Sequence, residues 1–437
     1  MSTLLAIKQR LYGNSTGYEY VIDSFLGAGT QGEVYLALCA DRQVAVKWYF
    51  PSYLECDNAL QQRLTNAIHK GSPDARFCWP LELVVQTPLA GFGYVMPLRP
   101  CGFKSIVDLM RRRAEPSFYV LITACIELAA SFLQLHAQGF CYRDINFNNV
   151  FFDTLTGEIL ICDNDNVDIN GAEGIINGTP RFMAPELVRA QSQPNTESDL
   201  FSLAVLLFYM LMLHHPLEGK KEAAIRCFDQ NAMNKLYGFE PLFIFDSADT
   251  SNAPVAGLHD NALTYWPLYP QVIRDLFTQA FKQGLINPQA RIRENEWRSA
   301  LIGLRDSIFY CSCSAENFYD VAAVQQGAVQ SCWACQKVLT PPPRLRLGQA
   351  IVMLNHNTRL YAHHVDKQQR FVFDKVAAAV TRHPQDPSKW GLQNLTALAW
   401  TITLPDGTLK TVAPQRSVAL VSGLHIDFGN LSAQIRL

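Results

Sequence analysis

Apolar and polar positions alternate with a period of two from Ser24 to Trp48 (SFLGAGTQGEVYLALCADRQVAVKW). That pattern predicts strands joined by a glycine-rich turn and a polar hairpin, and so a small β-rich lobe. From Ile106 onward the period becomes helical, and SFYVLITACIELAASFLQLHAQG predicts one long apolar helix closing at Gly139. A shorter amphipathic helix carries Leu60, Leu64 and Ile68. The helical pattern runs on to about Leu304, broken at about 238–270 by a stretch rich in Asn, Pro and aromatic residues that reads as an insert. Pro341-Pro342-Pro343 then forms a stiff spacer of the kind that separates folded units. Beyond it AIVMLN, LYAHHV, RFVFD, ALAWTITL, SVALVSG and HIDFG predict a compact all-β sandwich or barrel of about 90 residues.

A length of 437 residues calls for two or three domains, and 49% hydrophobic with 17% charged residues is ordinary globular composition. A net charge of −2 supplies no global field toward nucleic acid or an anionic bilayer, so neither is expected as a partner. The longest apolar run, Leu200 to Leu213, is shorter than the roughly 20 residues that span a bilayer. The opening MSTLLAIKQR lacks the apolar core of a secretory signal, and eight of the twelve cysteines are scattered singly. A reducing, cytoplasmic location is the expectation.

Candidate chemistry begins at Gly27-Ala28-Gly29-Thr30-Gln31-Gly32-Glu33-Val34, where three positions without a β-carbon would let backbone amides approach a polyphosphate. A plain tight hairpin explains the same glycines. Lys47, in Val44-Ala45-Val46-Lys47, would place an ammonium beneath that turn to neutralise phosphate oxygens. In Tyr142-Arg143-Asp144-Ile145-Asn146-Phe147-Asn148-Asn149, an acid five residues before a carboxamide has the spacing of a base beside an acceptor hydroxyl and an amide on a metal. Ile159-Leu160-Ile161 then leads to Cys162-Asp163-Asn164-Asp165, an acid at a strand end that can coordinate magnesium. A turn-forming acidic loop is the alternative there.

This set resembles the eukaryotic-type Ser/Thr protein kinase family, and the likeness runs over residues 18 to 305. Gly178-Thr179-Pro180-Arg181-Phe182-Met183-Ala184-Pro185-Glu186 resembles the family's substrate-binding segment. Ser198-Asp199-Leu200 resembles the helix start whose Asp anchors the catalytic loop, and Arg291 is the residue expected to pair with Glu186. The resemblance implies an α+β, bilobal kinase fold, with an N-lobe over 18–98 and a C-lobe over 99–305. It implies ATP held by Gly27, Gly29, Gly32, Val34, Lys47, Met96 and Leu98, and Mg2+ held by Asn149 and Asp163. Asp144 would orient or accept the proton of a protein hydroxyl, with Lys47, Asn146 and Thr179 as the other catalytic positions. The Ala184-Pro185-Glu186 platform argues against a small-molecule phosphotransferase of kinase-like fold.

Departures from the family pattern are specific. Tyr142 stands where His is usual, Asn164-Asp165 replace Phe-Gly, and Asn146 stands where a Lys steadies the transferring phosphate. A catalytically silent, nucleotide-binding scaffold is the alternative these departures leave. The acid that should pair with Lys47 is not evident, and Glu55 is the candidate. Between Asp165 and Glu186 the one hydroxyl-bearing residue is Thr179, so control by phosphorylating that segment is not expected.

Cys311-Ser312-Cys313 and Cys332-Trp333-Ala334-Cys335 offer two thiolate pairs suited to a structural Zn2+ over 306–340, with a reactive or disulfide-forming set as the alternative. The tail, 345–437, has some likeness to forkhead-associated sandwiches but lacks an arginine–serine pair for phosphothreonine; a packed β module is the plainer reading. Taken together these features resemble the kinases of the tellurite-resistance-associated (TerY-type) bacterial phosphorylation triad. That resemblance implies two partners, a von Willebrand A-type protein and a metal-dependent protein phosphatase.

Overall fold

The computed structural model describes residues 3–86, 90–171 and 178–437, and its chain divides into two compact units. The first comprises Met1–Tyr265 and Asp275–Arg298, the second Trp266–Arg274 and Ser299–Leu437. The break therefore falls inside the helix Glu294–Asp306, not after it as the 99–305 and 306–340 division supposed.

In the first unit, six strands close into an antiparallel barrel: β1 (Arg10–Gly13), β2 (Glu19–Ala28), β3 (Gly32–Cys39), β4 (Arg42–Tyr49), β5 (Glu82–Val85) and β6 (Gly93–Pro97), in the order β1-β2-β3-β4-β6-β5. Pairing of Tyr12 with Val85 and of Gly13 with Val84 joins β1 to β5. The lobe thus begins before residue 18, and closure leaves no bare strand edge. Alternate residues point inward, so Leu11, Ile22, Tyr35, Val46, Trp48 and Val95 share one apolar core. Helix Leu60–Lys70 buries Leu60, Leu64 and Ala67 at helical spacing and stops at Gly71, whose φ of 81° suits a residue without a β-carbon.

The helical half is organised by two buried helices. Phe118–Ala137 starts where the Ser117 side chain accepts from the Val120 N–H, and Gly139 follows its end with φ 77°. It is long and apolar enough to cross a membrane by length and composition, but 61% of that window is buried, and it works as a core helix. Thr196–Met212 opens with a capping box between Asn195 and Ser198 and is buried from Ser198 to Met212. Within 238–265, the buried Asn252 amide donates to the carbonyls of Leu217 and Leu242 at 2.9 and 2.7 Å.

In the second unit, the strands Ile308–Tyr310 and Glu316–Phe318 pair across a turn that carries Cys311 and Cys313, and Cys332 and Cys335 follow them. The tail forms a six-stranded and a four-stranded antiparallel sheet, and Leu345, Leu360, Leu392, Trp400, Ile426 and Ile435 come from both to fill one core. Pro341-Pro342-Pro343 does not separate compact units, contrary to expectation. Met353, beyond the prolines, packs with Phe309 and Tyr319 from before them, and the Asn355 amide donates to Ile308 O at 2.8 Å.

Candidate active site

Lys47 lies mid-strand on β4, opposite Val34 on β3 and Tyr94 on β6. Its side chain is 7% exposed, and an ammonium so placed requires partners. Asp163 Oδ1 approaches it at 2.5 Å and Asp165 Oδ2 at 2.8 Å. The Gln31 side-chain oxygen also accepts from Lys47, while its amide nitrogen donates to Asn166 Oδ1 at 3.0 Å. Burial works to lower the Lys47 pKa, but the charges of Asp163 and Asp165 outweigh it and raise the value. Among the acids, burial and the neighbouring Asp165 charge push the Asp163 carboxyl up to about 6 against the pull of Lys47. Burial also opposes ionisation of Asp165, yet Lys47 and the Tyr49 hydroxyl hold it below its ordinary range.

Glu55, the expected partner of Lys47, is exposed on the short helix Pro51–Cys56. Helix Leu60–Lys70 carries no acid at all, and its Arg63 is turned to Asp57 at 2.8 Å. The two acids on Lys47 instead come from one turn. Strand Ile159–Ile161 pairs with Val150–Asp153, Asp163 then takes a left-handed conformation (φ 59°, ψ 48°), and a single 3-10 turn follows over Asn164–Asn166.

The loop between strands Phe140–Cys141 and Val150–Asp153 is pinned from below. Asp199 accepts from the backbone N–H of Tyr142 at 2.5 Å and of Arg143 at 3.0 Å, the anchor that the resemblance implies. Asp144 Oδ1 accepts from the Thr179 hydroxyl at 2.8 Å and its N–H at 2.9 Å. The Asn149 amide nitrogen donates to Asp144 O at 3.0 Å, which leaves its carbonyl oxygen for a cation. Asn146 does not stand in for the missing Lys: it is buried, its nitrogen donates to Asp144 O at 3.1 Å and its oxygen accepts from Asn148 N at 2.8 Å. It braces the loop. Tyr142 donates its hydroxyl to Cys162 O, and buried Asn164 donates to Ile161 O at 3.0 Å.

The three flap glycines differ in their surroundings. A β-carbon on Gly27 or Gly29 would meet nothing within 4 Å, whereas one on Gly32 would lie 2.2 Å from Trp48 O. Gly32 is therefore needed for the close β3–β4 approach. Val34 and Leu98, both half-buried, border the apolar cluster that contains Ala45 and Met96; Met96 itself is 8% exposed and mostly core. The remaining donors suit magnesium, since a carboxylate oxygen of Asp163 and the carboxamide oxygen of Asn149 are hard oxygen ligands. Arg291 grips Glu186 with two bonds of 2.8 Å. Next to Thr179, Pro180, Met183, Leu187, Val188, Met233 and Tyr237 line a pocket of about 270 Å³. Residues 172–177, part of the segment in which only Thr179 bears a hydroxyl, lie outside the described residues.

In the second unit, the Sγ atoms of Cys311, Cys313, Cys332 and Cys335 all lie within 4.8 Å of one another. Cys311 to Cys335 is 3.6 Å and Cys313 to Cys332 is 3.7 Å. Four sulfurs at about 2.3 Å from a tetrahedral Zn2+ would stand about 3.8 Å apart, so the donor set and its spacing fit that ion. Asn317 supports it from behind, its amide nitrogen 3.7 Å from Cys332 Sγ and its oxygen accepting from Trp333 N at 3.3 Å.

Sequence reasoning missed Asp165, Gln31 and Tyr49. The signal for Asp165 was present: an acid occupies a position where the family has glycine. Gln31 and Tyr49 carried none, because their roles arise only when the flap and β4 face the turn.

Residues 82–267 match the family model of the protein kinase domain. Among curated relatives, the chain is similar to the serine/threonine-protein kinase PknK of Mycobacterium tuberculosis, at 29% identity over 205 residues, 45% of this chain and 18% of that protein. It is similar to the serine/threonine-protein kinase PknD of Chlamydia trachomatis at 26% over 243 residues, 46% of this chain and 25% of that protein. A CBL-interacting protein kinase 4 of Oryza sativa matches at 26% over 218 residues, 47% of each chain. The chain thus spans less than half the length of these relatives. The matched domain and the relatives' names together support a protein serine/threonine kinase.

Proposed function

We propose that this chain is an ATP- and magnesium-dependent protein serine/threonine kinase that transfers the γ-phosphate to a hydroxyl of a partner protein. The observation that carries the proposal is two bonded groups, Asp144 with Thr179 and Asn149, and Asp163 with Lys47, on neighbouring segments joined where the Cys162 N–H donates to Asn149 O at 2.8 Å. Asp144 is placed to orient an incoming hydroxyl and take its proton. Lys47 would hold phosphate oxygens beneath the flap of Gly27 and Gly29. Magnesium, held by Asn149 and Asp163, would neutralise charge on the phosphates. The pocket beside Thr179, whose lining also includes Gln230 and Asn234, would seat a side chain of the acceptor peptide.

The setting follows from the sequence resemblance. The chain would act in a bacterial signalling or stress-response system of the tellurite-resistance type, in the cytoplasm. A von Willebrand A-type protein and a metal-dependent phosphatase would be its partners. The four cysteines would hold a structural Zn2+, and the two-sheet tail would form a sandwich-like docking module. The silent-scaffold alternative draws on Asn146, which is committed to the loop backbone. One experiment separates the two: the purified chain is incubated with radiolabelled ATP and magnesium beside its genomic-neighbour proteins, with Asp144→Asn as control. Transfer lost in the control supports the kinase; nucleotide binding with no transfer to any protein defeats it.

A further inference from the structure

We propose that Asp165 is a positioning residue that replaces the missing helix acid as the permanent counter-ion of Lys47, leaving Asp163 available to the metal. The inference rests on the kinase reading for its purpose but not for its test. Three observations lead to it. Helix Leu60–Lys70, which packs Leu60 and Leu64 against the Tyr49 and Ala45 region of β4, has no carboxylate to offer. Asp165 has a fully buried side chain with Oδ2 2.8 Å from the ammonium, and that same oxygen accepts from the Tyr49 hydroxyl at 2.5 Å. Its other oxygen, Oδ1, is buried without a hydrogen-bond partner, so Lys47 is its main source of neutralisation.

The purpose follows from competition. Asp163 is one-third exposed, bonds the ammonium, and would also be a ligand of the cation. If Lys47 had only Asp163, a buried ammonium would have to keep that carboxylate for itself, and a metal would bind at the expense of the ion pair. With Asp165 present, Lys47 remains paired whichever way Asp163 is committed. The Tyr49 hydroxyl and the ammonium fix the orientation of Asp165 from two sides, and Tyr49 packs on Tyr53 with ring centroids 5.9 Å apart. The arrangement does the work of a helix acid without requiring any movement of helix Leu60–Lys70.

The test uses the full chain and two readouts. One is the magnesium concentration that half-saturates binding of a fluorescent N-methylanthraniloyl ATP; the other is the magnesium dependence of phosphate transfer. Asp165→Asn should raise the magnesium requirement at least tenfold in both, because Lys47 then draws on Asp163. Tyr49→Phe keeps every charge and the ring while freeing Oδ2 on one side, and should shift it in the same direction by about threefold. Melting temperatures report whether each variant is folded. An unchanged magnesium requirement in folded Asp165→Asn, or in Tyr49→Phe should the first not fold, overturns the proposal. If the wild-type chain transfers no phosphate, the kinase reading fails while the binding readout still decides this one.

Discussion

Replacing His136 with glutamine should remove a pH-dependent clamp under the catalytic loop. His136 is 6% exposed, with Nε2 3.1 Å from Asp199 Oδ2 and Nδ1 on Glu294 Oε1. Burial disfavours its charged form, but hydrogen bonds to the two acids prevail and raise its pKa to about 9. Against about 6.5 for an unfolded histidine, that is about 2.5 units, or about 3 kcal/mol of stability. The folded value is the higher one, so the contribution is complete below about pH 6.5, fades as pH climbs toward 9 and is absent above it. His136→Gln keeps hydrogen-bonding reach but never carries the charge. Urea unfolding of wild type and variant between pH 6 and pH 9.5, followed by tryptophan fluorescence and circular dichroism, should give a gap of about 3 kcal/mol at pH 6 that shrinks below about 1 kcal/mol at pH 9.5. A gap that stays constant with pH, or wild-type stability that rises from pH 6.5 to 9, would refute the assigned charge. Since Asp199 also holds the Tyr142 and Arg143 amides, the variant's phosphate transfer should decline together with its stability.

Asp144→Asn should lower phosphate transfer by about 10² to 10⁴-fold with little change in melting temperature, measured by radiolabel incorporation under saturating ATP. Thr179→Ala removes the hydroxyl that donates to Asp144 and should cost at least tenfold in the same assay, while Thr179→Ser restores most of it; phosphosite mapping should find no other modified residue between Asp165 and Glu186. Glu186→Ala leaves the buried Arg291 guanidinium with the carbonyls of Gly284 and Glu197 but no counter-charge, and should destabilise the first unit by about 3 kcal/mol, read as a lower urea midpoint. Protein prepared without chelators should contain one zinc per chain by elemental analysis, and Cys332→Ser, which removes the fully buried ligand, should lose most of it.

The period-two run at Ser24–Trp48 made the barrel strands legible, and the helical run at 118–137 its core helix, because each pattern is set by local alternation of buried and exposed faces. Closure of the barrel by Arg10–Gly13 was not legible: four residues carry little periodicity, and the strand exists because Tyr12 and Gly13 find Val85 and Val84 about seventy residues away. The same holds for Pro341-Pro342-Pro343, whose local stiffness says nothing about Met353 reaching back to Phe309. In the site, the residues bound by spacing (Asp144 to Asn149, Cys332 to Cys335) were readable. The pairing of Lys47 was not, because it is decided by a left-handed residue at Asp163 that the sequence writes only as an acid in a turn.

The three departures around the metal loop form one set. Tyr142 replaces an imidazole, Asn164 an aromatic ring and Asp165 a glycine; the Tyr142 hydroxyl and the Asn164 amide nitrogen donate to backbone carbonyls of the same turn, Cys162 O and Ile161 O, while Asn164 Oδ1 is buried without a hydrogen-bond partner. The third pairs through Oδ2 with Lys47. In a loop with an apolar middle residue and a glycine hinge, swinging outward exchanges one hydrophobic pocket for another. Here the same motion would break two buried backbone hydrogen bonds, at about 1–3 kcal/mol for each orphaned group. It would also strip both carboxylates from an ammonium that is 7% exposed, at about 3–5 kcal/mol. Even with partial relaxation those costs exceed the few kcal/mol that separate interconverting loop states. The inward arrangement of the loop is therefore supported by its own sequence.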